Sequence, residues 1–283
     1  MQFGAVIMGG VGSMLFLLLL GAPSTAQSLP RDNHVRNIEL CNGSDRASLE
    51  SRIVACTALI DAGQRTPALA IAYNNRGNAL IVKGDYAGAI QDFDRSIALN
   101  GSYAKPYNNR GVAYLKQREF DLAIKAFDEA IRVSSNYGEA LANRAQAHLK
   151  QGQYDRASQD YSEAIRLDPR LDAVWDGRCW ARTNLGDLQA ALEDCNKAIQ
   201  SGSDNARTYD SRGLLFLKMN QPDAAIDEFD AALRFDPKLA SALYGRGLAR
   251  LKKGDRAGSD YDMSAARAIQ ARIDDEFARY GVR

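Results

Sequence analysis

Small, bulky and polar residues recur along this chain with a period of 34. The phrase Tyr73-Asn-Asn-Arg-Gly77 returns unchanged as Tyr107-Asn-Asn-Arg-Gly111. Its successors are Leu141-Ala-Asn-Arg-Ala145, Trp175-Asp-Gly-Arg-Cys179, Tyr209-Asp-Ser-Arg-Gly213 and Leu243-Tyr-Gly-Arg-Gly247. Six units in one register therefore run from Ala70 to Ile273, and a fixed period of this size is the signature of a stacked array. With Ala70 as position one, position eight is Gly77, Gly111, Ala145, Cys179, Gly213 or Gly247, and position twenty is Ala89, Ala123, Ala157, Ala191, Ala225 or Ser259. Small residues at both places let two helices approach closely. A bulky residue at position twenty-four (Phe93, Phe127, Tyr161, Phe229, Met263) fills the space beside that contact. Turns such as Lys83-Gly-Asp85 and Gln151-Gly-Gln153 separate the two helices, since Gly accepts the positive φ that follows a helix end. Leu167-Asp-Pro169 and Phe235-Asp-Pro237 stop the second helix, because Pro cannot continue one. The pattern predicts an all-α array of helical hairpins, with no convincing strand.

At the amino-terminal end, Ala55, Leu59, Ala62 and Pro67 fit the register one period back, so Ser51 to Ala62 reads as a lone second helix. Its would-be partner, Cys41-Asn-Gly-Ser-Asp45, is turn-like. At the other end, Ile269, Ile273, Phe277 and Tyr280 recur at spacings of three and four, which predicts a helix from Ala265 to Tyr280. Both ends read as caps that cover the last apolar faces of the array. The organisation expected is a leader over 1–26, a cap with a partial repeat over 27–69, six repeats over 70–273, and the end of a capping helix over 274–283.

These residues are similar to the tetratricopeptide repeat, a 34-residue helix-turn-helix unit, and the similarity covers Ala70 to Ile273. The resemblance implies a right-handed superhelical solenoid whose first helices line a concave groove, where family members usually bind peptides or partner proteins. Repeat four departs most, with Cys179 and Cys195 at positions eight and twenty-four. The specialised clamp for a terminal carboxylate found in chaperone-binding members is missing its basic residues. At the matching places stand Asn74, Asn78, Asn109, Glu139 and Asn143.

Composition narrows the chemistry. The 36 Lys+Arg against 35 Asp+Glu leave a formal charge of +1, with none of the positive surplus that nucleic acid or an acidic membrane surface calls for. The two histidines, His34 and His148, lie far apart, and the four cysteines form no CxxC pair. A zinc site or a His-centred catalytic apparatus is short of parts. No GxSxG, P-loop, HExxH or dinucleotide fingerprint is present, so no enzyme and no cofactor is expected. From Val6 to Leu20 the chain is apolar or small, and Ser24-Thr25-Ala26 follows. This predicts an exported protein cleaved after Ala26, periplasmic or secreted, the rival being an uncleaved membrane anchor.

Several periodic positions carry candidate chemistry. Position seven is Arg in every unit (Arg76, Arg110, Arg144, Arg178, Arg212, Arg246), while position twenty-three is Asp92, Ala126, Asp160, Asp194, Glu228 or Asp262. That pairing predicts an internal ladder of ion pairs in preference to a basic stripe for an acidic ligand. Position six is Asn75, Asn109 and Asn143 in the first three units. Each amide offers both donors and an acceptor, so the row could grip the backbone of an extended peptide, or merely cap neighbouring groups and meet water. The resemblance places these in the groove, with Asn74 and Asn108 widening the row. Asp176 and Asp210 at position five, beside Trp180 at position nine, would suit a basic or apolar side chain of a partner, Trp180 packing on a neighbouring unit being the alternative. Lys116, Lys150, Lys218 and Lys252 read as a solvated face, and His148 as a packed histidine.

The cysteines fall into two local pairs, Cys41 with Cys56 and Cys179 with Cys195. Each would close a loop of about 15 residues, worth roughly 3 kcal/mol by chain entropy in an oxidising compartment; four buried thiols are the alternative. The function expected is a scaffold that binds an extended segment of a partner protein in the groove. The alternative is an envelope assembly or spacer protein acting through its ends and convex face.

Overall fold

The computed structural model describes residues 29–43, 47–63, 66–171, 173–202 and 205–282, so the leader lies outside the described residues. Among these residues there are fifteen helices and no strand. Six hairpins carry the repeat: α3 (Thr66–Lys83) with α4 (Tyr86–Leu99), α5 (Ala104–Lys116) with α6 (Phe120–Val133), and α7 (Gly138–Lys150) with α8 (Tyr154–Leu167). They continue as α9 (Val174–Leu185) with α10 (Leu188–Gln200), α11 (Ala206–Lys218) with α12 (Pro222–Phe235), and α13 (Ala240–Lys252) with α14 (Arg256–Ile269). Each helix packs on its hairpin partner and on the next hairpin, which makes an all-α helical-repeat solenoid.

The close approach inside a hairpin is set by position eight. A Cβ on Gly77 would sit 2.6 Å from the Phe93 ring, and one on Gly111 would sit 2.4 Å from the Phe127 ring, so these rings fill the space a side chain would need. In repeat four the same gap is closed covalently. Cys179 and Cys195 pair as a disulfide, their Cα atoms 5.3 Å apart. The turn between helices requires a left-handed residue at position fifteen. Gly84, Gly152, Gly186 and Gly254 supply it, while Arg118 (φ 65°) and Asn220 (φ 56°) adopt it despite a side chain.

The arginines do form a ladder. Arg76, Arg144, Arg178, Arg212 and Arg246 each hold the position-twenty-three acid of their own unit through two N–H donors, at 2.6–2.9 Å. The remaining nitrogen reaches back to position twenty-five of the unit before: Asp128, Ser162, Asn196 or Asp230. Arg110, whose unit has Ala126 in place of the acid, keeps only the backward bond, to Asp94 at 2.6 Å. One guanidinium thus ties two helices of a hairpin to its neighbour. Four of the five acids are buried (Asp194 2%, Asp262 0% exposed) and Glu228 is half-buried, so these are charge-assisted pairs and not surface ornaments.

Both ends differ from the pattern expected. The second helix of the amino-terminal cap is not alone: α1 (Leu29–Cys41) precedes α2 (Leu49–Asp61) and packs on it. Ala55 and Leu59 are buried where the register places them, but the joint to the first repeat is spaced differently. Arg76 bonds Thr57, 19 residues earlier, where the other backward bonds span 16. The joint is instead fixed by the disulfide Cys41–Cys56, with Cα atoms 4.8 Å apart. At the carboxyl end the continuous helix expected over Ala265 to Tyr280 is broken. α14 ends at Ile269, Gln270 turns extended (φ −136°), and α15 (Ile273–Arg279) starts anew. Gln270 occupies position thirty-one, where Asn100, Ser134, Asp168 and Asp236 cap α4, α6, α8 and α12 in the same extended conformation.

Candidate functional site

Along the first helices of the first three repeats the asparagine amides bond to one another. Asn143 Nδ2 donates to Asn108 Oδ1 (3.0 Å), Asn108 Nδ2 to Asn109 Oδ1 (3.3 Å), Asn109 Nδ2 to Asn74 Oδ1 (2.9 Å), Asn74 Nδ2 to Asn75 Oδ1 (3.1 Å), and Asn75 Nδ2 to Asn42 Oδ1 (3.0 Å). Asn74 and Asn108 are buried and serve as the inner members, while Asn75, Asn109 and Asn143 are half-buried. Each bond in this chain uses one of two N–H groups and one of two lone-pair directions of its amides. The half-buried members, Asn75, Asn109 and Asn143, therefore keep polar valences that the row itself does not use.

In repeats five and six much of the equivalent face is apolar, and the chain covers it with its own end. Leu214, Leu217, Tyr244 and Leu248 form one buried cluster with Ile273, Phe277 and Val282. Phe277 lies 4.8 Å from Tyr244 between ring centroids, and Tyr280 meets Trp180 edge-on at 5.0 Å. Arg267 and Tyr244 both bond Asp274 (2.6 and 2.9 Å), holding that carboxyl down to about 2. Trp180 thus packs on the carboxyl-terminal segment, three repeats away in sequence, as part of a cluster that also holds Leu214 and Leu217 of the neighbouring unit.

Where the two regimes meet, a cavity of about 800 Å³ opens, bounded by α7, α9, α11 and α15. Asn143, Asp176, Trp180 and Asp210 all line it, so four of the six groove candidates converge; Asn75 and Asn109 belong to the amide row leading away from it. Gly177 brings Tyr161 close, since a Cβ there would meet the ring at 2.3 Å. Burial first, and then Asp176, pushes the Tyr161 hydroxyl well above the usual phenol range. Asp176 is 3% exposed. Its Oδ2 takes Nε of Arg207 at 2.9 Å, while its Oδ1 is buried without a hydrogen-bond partner among the described residues. Burial raises its pKa against the opposing pull of Arg207 and Ser211. Asp210 accepts a hydrogen bond from Ser241 Oγ at 2.7 Å, yet burial together with Asp176 and Glu276 pushes its carboxyl up to about 7.

Sequence reasoning missed Glu276, Arg207, Tyr154 and Tyr280, which complete the lining. Glu276 and Tyr280 were readable only as part of a capping helix. His148 is packed, as expected, against Gln153 (2.8 Å), and burial lowers its pKa. Lys116, Lys150 and Lys252 are solvated, whereas Lys218 is half-buried and donates to the Thr183 carbonyl at 3.1 Å. Among the described residues no group of His, Cys, Asp and Glu is placed to hold a metal ion. No described helix is long and apolar enough to cross a membrane.

Two family profiles match the chain, one described as a tetratricopeptide repeat over residues 108–172 and 144–206, the other as a TPR repeat over 77–118 and 213–254. No curated protein matches it in sequence. Among solved structures it is similar to a tetratricopeptide repeat protein from Parabacteroides merdae (TM-score 0.65, 16% identity, 88% of this chain and 99% of that one). PilF of Pseudomonas aeruginosa is similar over 75% of this chain and 96% of its own (TM-score 0.65, 17% identity). YrrB, a TPR protein with an unusual peptide-binding site, is similar over 68% of this chain and 97% of its own (TM-score 0.56, 21% identity). Hairpins in register, the arginine ladder that locks them and the profile matches agree: this chain belongs to the tetratricopeptide repeat family.

Proposed function

We propose that this protein is an interaction scaffold that holds an extended segment of a partner protein in the groove of its first three repeats. The observation that carries this reading is the row of amides from Asn143 to Asn42. An extended peptide has an N–H and a carbonyl at every residue. Asn75, Asn109 and Asn143, the half-buried members of the row, offer their spare donors and acceptors to those groups whatever the peptide's side chains. Because the row is already ordered by its own hydrogen bonds, little entropy is lost on the scaffold side. The two cysteine pairs support an oxidising compartment, and with the apolar run before Ala26 they favour an exported, periplasmic or secreted protein.

The test is capture of unstructured peptides by the full chain and by Asn75→Ala, Asn109→Ala and Asn143→Ala variants. We expect each substitution to weaken capture several-fold, with unfolding in urea shifted by about 1 kcal/mol for the lost amide bond. Capture unchanged in all three, with a new oligomeric state on altering residues 269–280, would mark the alternative of assembly through the ends and convex face.

A further inference from the structure

The cavity at the midpoint of the groove has a floor unlike either half. Asp176, Asp210 and Glu276 bring three carboxylates to it, and Tyr154, Tyr161, Trp180 and Tyr280 bring four aromatic rings. Glu276 is held in place by Tyr280 and Gln270, whose donors lie 2.5 and 2.6 Å from its two oxygens. Asp176 is 97% withdrawn from solvent, counted from its 3% exposure, and still has one oxygen with no donor. A buried carboxylate oxygen left so carries an uncompensated desolvation cost, which a donor arriving from outside would recover.

We propose that this cavity receives a basic side chain, the ammonium of a lysine or the guanidinium of an arginine carried by the partner segment. The proposal rests on the reading of the groove as a peptide channel and names the residue read at its centre. An ammonium or guanidinium offers only donors, which match the unpartnered Oδ1 of Asp176. Faces of Trp180 and the tyrosines attract a cation through their quadrupoles, and their apolar surface covers its hydrocarbon stem. Four basic residues, Arg118, Lys150, Arg207 and Arg279, also face the cavity. All four are exposed at its rim. There water and salt screen them, whereas the buried Asp176 is screened much less and the half-buried Asp210 and Glu276 somewhat less. Among the described residues Arg207 is the one basic side chain ion-paired to these acids, and it occupies a single oxygen of Asp176. The volume of about 800 Å³ accommodates such a side chain with the adjoining backbone.

The experiment uses the full chain and follows the Trp180 indole signal by NMR. The probes are Nα-acetyl-arginine amide, Nα-acetyl-lysine amide and the uncharged Nα-acetyl-norleucine amide. Saturable shifts are expected with the two cations at millimolar concentration, and no comparable response to norleucine. Asp176→Asn should weaken the cation response at least tenfold. Should that variant prove misfolded by circular dichroism, Glu276→Gln is expected to weaken it about threefold. Equal responses to charged and neutral probes, or a cation response unchanged in a folded Asp176→Asn or Glu276→Gln protein, overturn the proposal. Unstructured peptides bearing one central lysine or norleucine separate it from the reading of the groove. Equal capture of both peptides, lost in Asn109→Ala, leaves the groove standing and removes the pocket. Binding of the cationic amides without capture of either peptide supports the pocket and removes the groove.

Discussion

In repeats one and two, position five is Asn74 or Asn108 and position nine is Asn78 or Val112; in repeats five and six the same positions hold Asp210 or Tyr244 and Leu214 or Leu248. The backbone register is common to both ends, and so is the arginine ladder. What differs is how the inner face is satisfied. Amides find partners along the row, from one repeat to the next. Leucine and aromatic rings gain nothing from such lateral bonding, and an uncovered apolar strip on a solenoid invites association. In this chain the strip is covered by α15 and Val282. Repeat arrays therefore allow two ends of one scaffold to do different work without changing the fold, because each hairpin contacts little beyond its neighbours.

The sharpest way to break this comparison is to strip the cover. Phe277 is 2% exposed and packs on Tyr244. Phe277→Ala should cost about 3–5 kcal/mol of the stability of the carboxyl-terminal repeats. Loss of α15 would also free Trp180 from Tyr280, so a red-shifted tryptophan emission and new binding of an apolar dye should accompany the fall. A variant that unfolds earlier without either optical change would mean that the tail stays seated and that the apolar strip does not depend on it.

A smaller effect, of opposite sign, is expected at the junction. Asp210 keeps its proton up to about pH 7 in the folded protein, facing Asp176 and Glu276, with Ser241 as its hydrogen-bond donor. An unfolded chain releases that proton near the ordinary aspartate value. Between the two values the unfolded state binds fewer protons, so this group lowers stability as pH rises from about 4 to 7. Asp210→Asn should thus stabilise the protein by about 2 kcal/mol at pH 8, below the full ~4 kcal/mol of such a shift because a half-buried carboxyl keeps some water. The gain should vanish near pH 4. Urea midpoints of the two proteins at pH 4, 6 and 8 measure it, and a pH-independent gap would show that Asp210 ionises normally.

Most of the scaffold was legible because a period of 34 repeats its evidence six times. The pairing of Arg76 with Asp92, or Arg246 with Asp262, followed from two columns of residues, and that of Cys179 with Cys195 from their places on facing helices, whereas Cys41 and Cys56 were paired only as near neighbours flanking the cap. The break at Gln270 was written in the same register, since position thirty-one ends α4, α6, α8 and α12, but the spacing of Ile269, Ile273, Phe277 and Tyr280 outweighed it. The contact of Tyr280 with Trp180 had no such signal. It joins parts that no periodic column relates, and only the three-dimensional course of the tail brings them together. The amide row lay between these cases. Its members stood in two adjacent columns, yet their mutual hydrogen bonds depend on the offset between neighbouring hairpins, which the sequence does not state.

The mildest test concerns the turn at the rim of the junction. Arg118 takes a left-handed conformation (φ 65°) at the position where four other repeats place glycine. A side chain there costs roughly 1–2 kcal/mol against the following carbonyl, and glycine brings back some of that as flexibility of the unfolded chain. Arg118→Gly should accordingly gain about 0.5 kcal/mol by urea unfolding. Asn220 adopts the same conformation (φ 56°) in the covered half, but asparagine tolerates it through local hydrogen bonding, so Asn220→Gly should be close to neutral. The two substitutions alter the same turn on either side of the comparison. A gain at Arg118 alone locates the strain in the residue, whereas equal gains at both would locate it in the repeat itself.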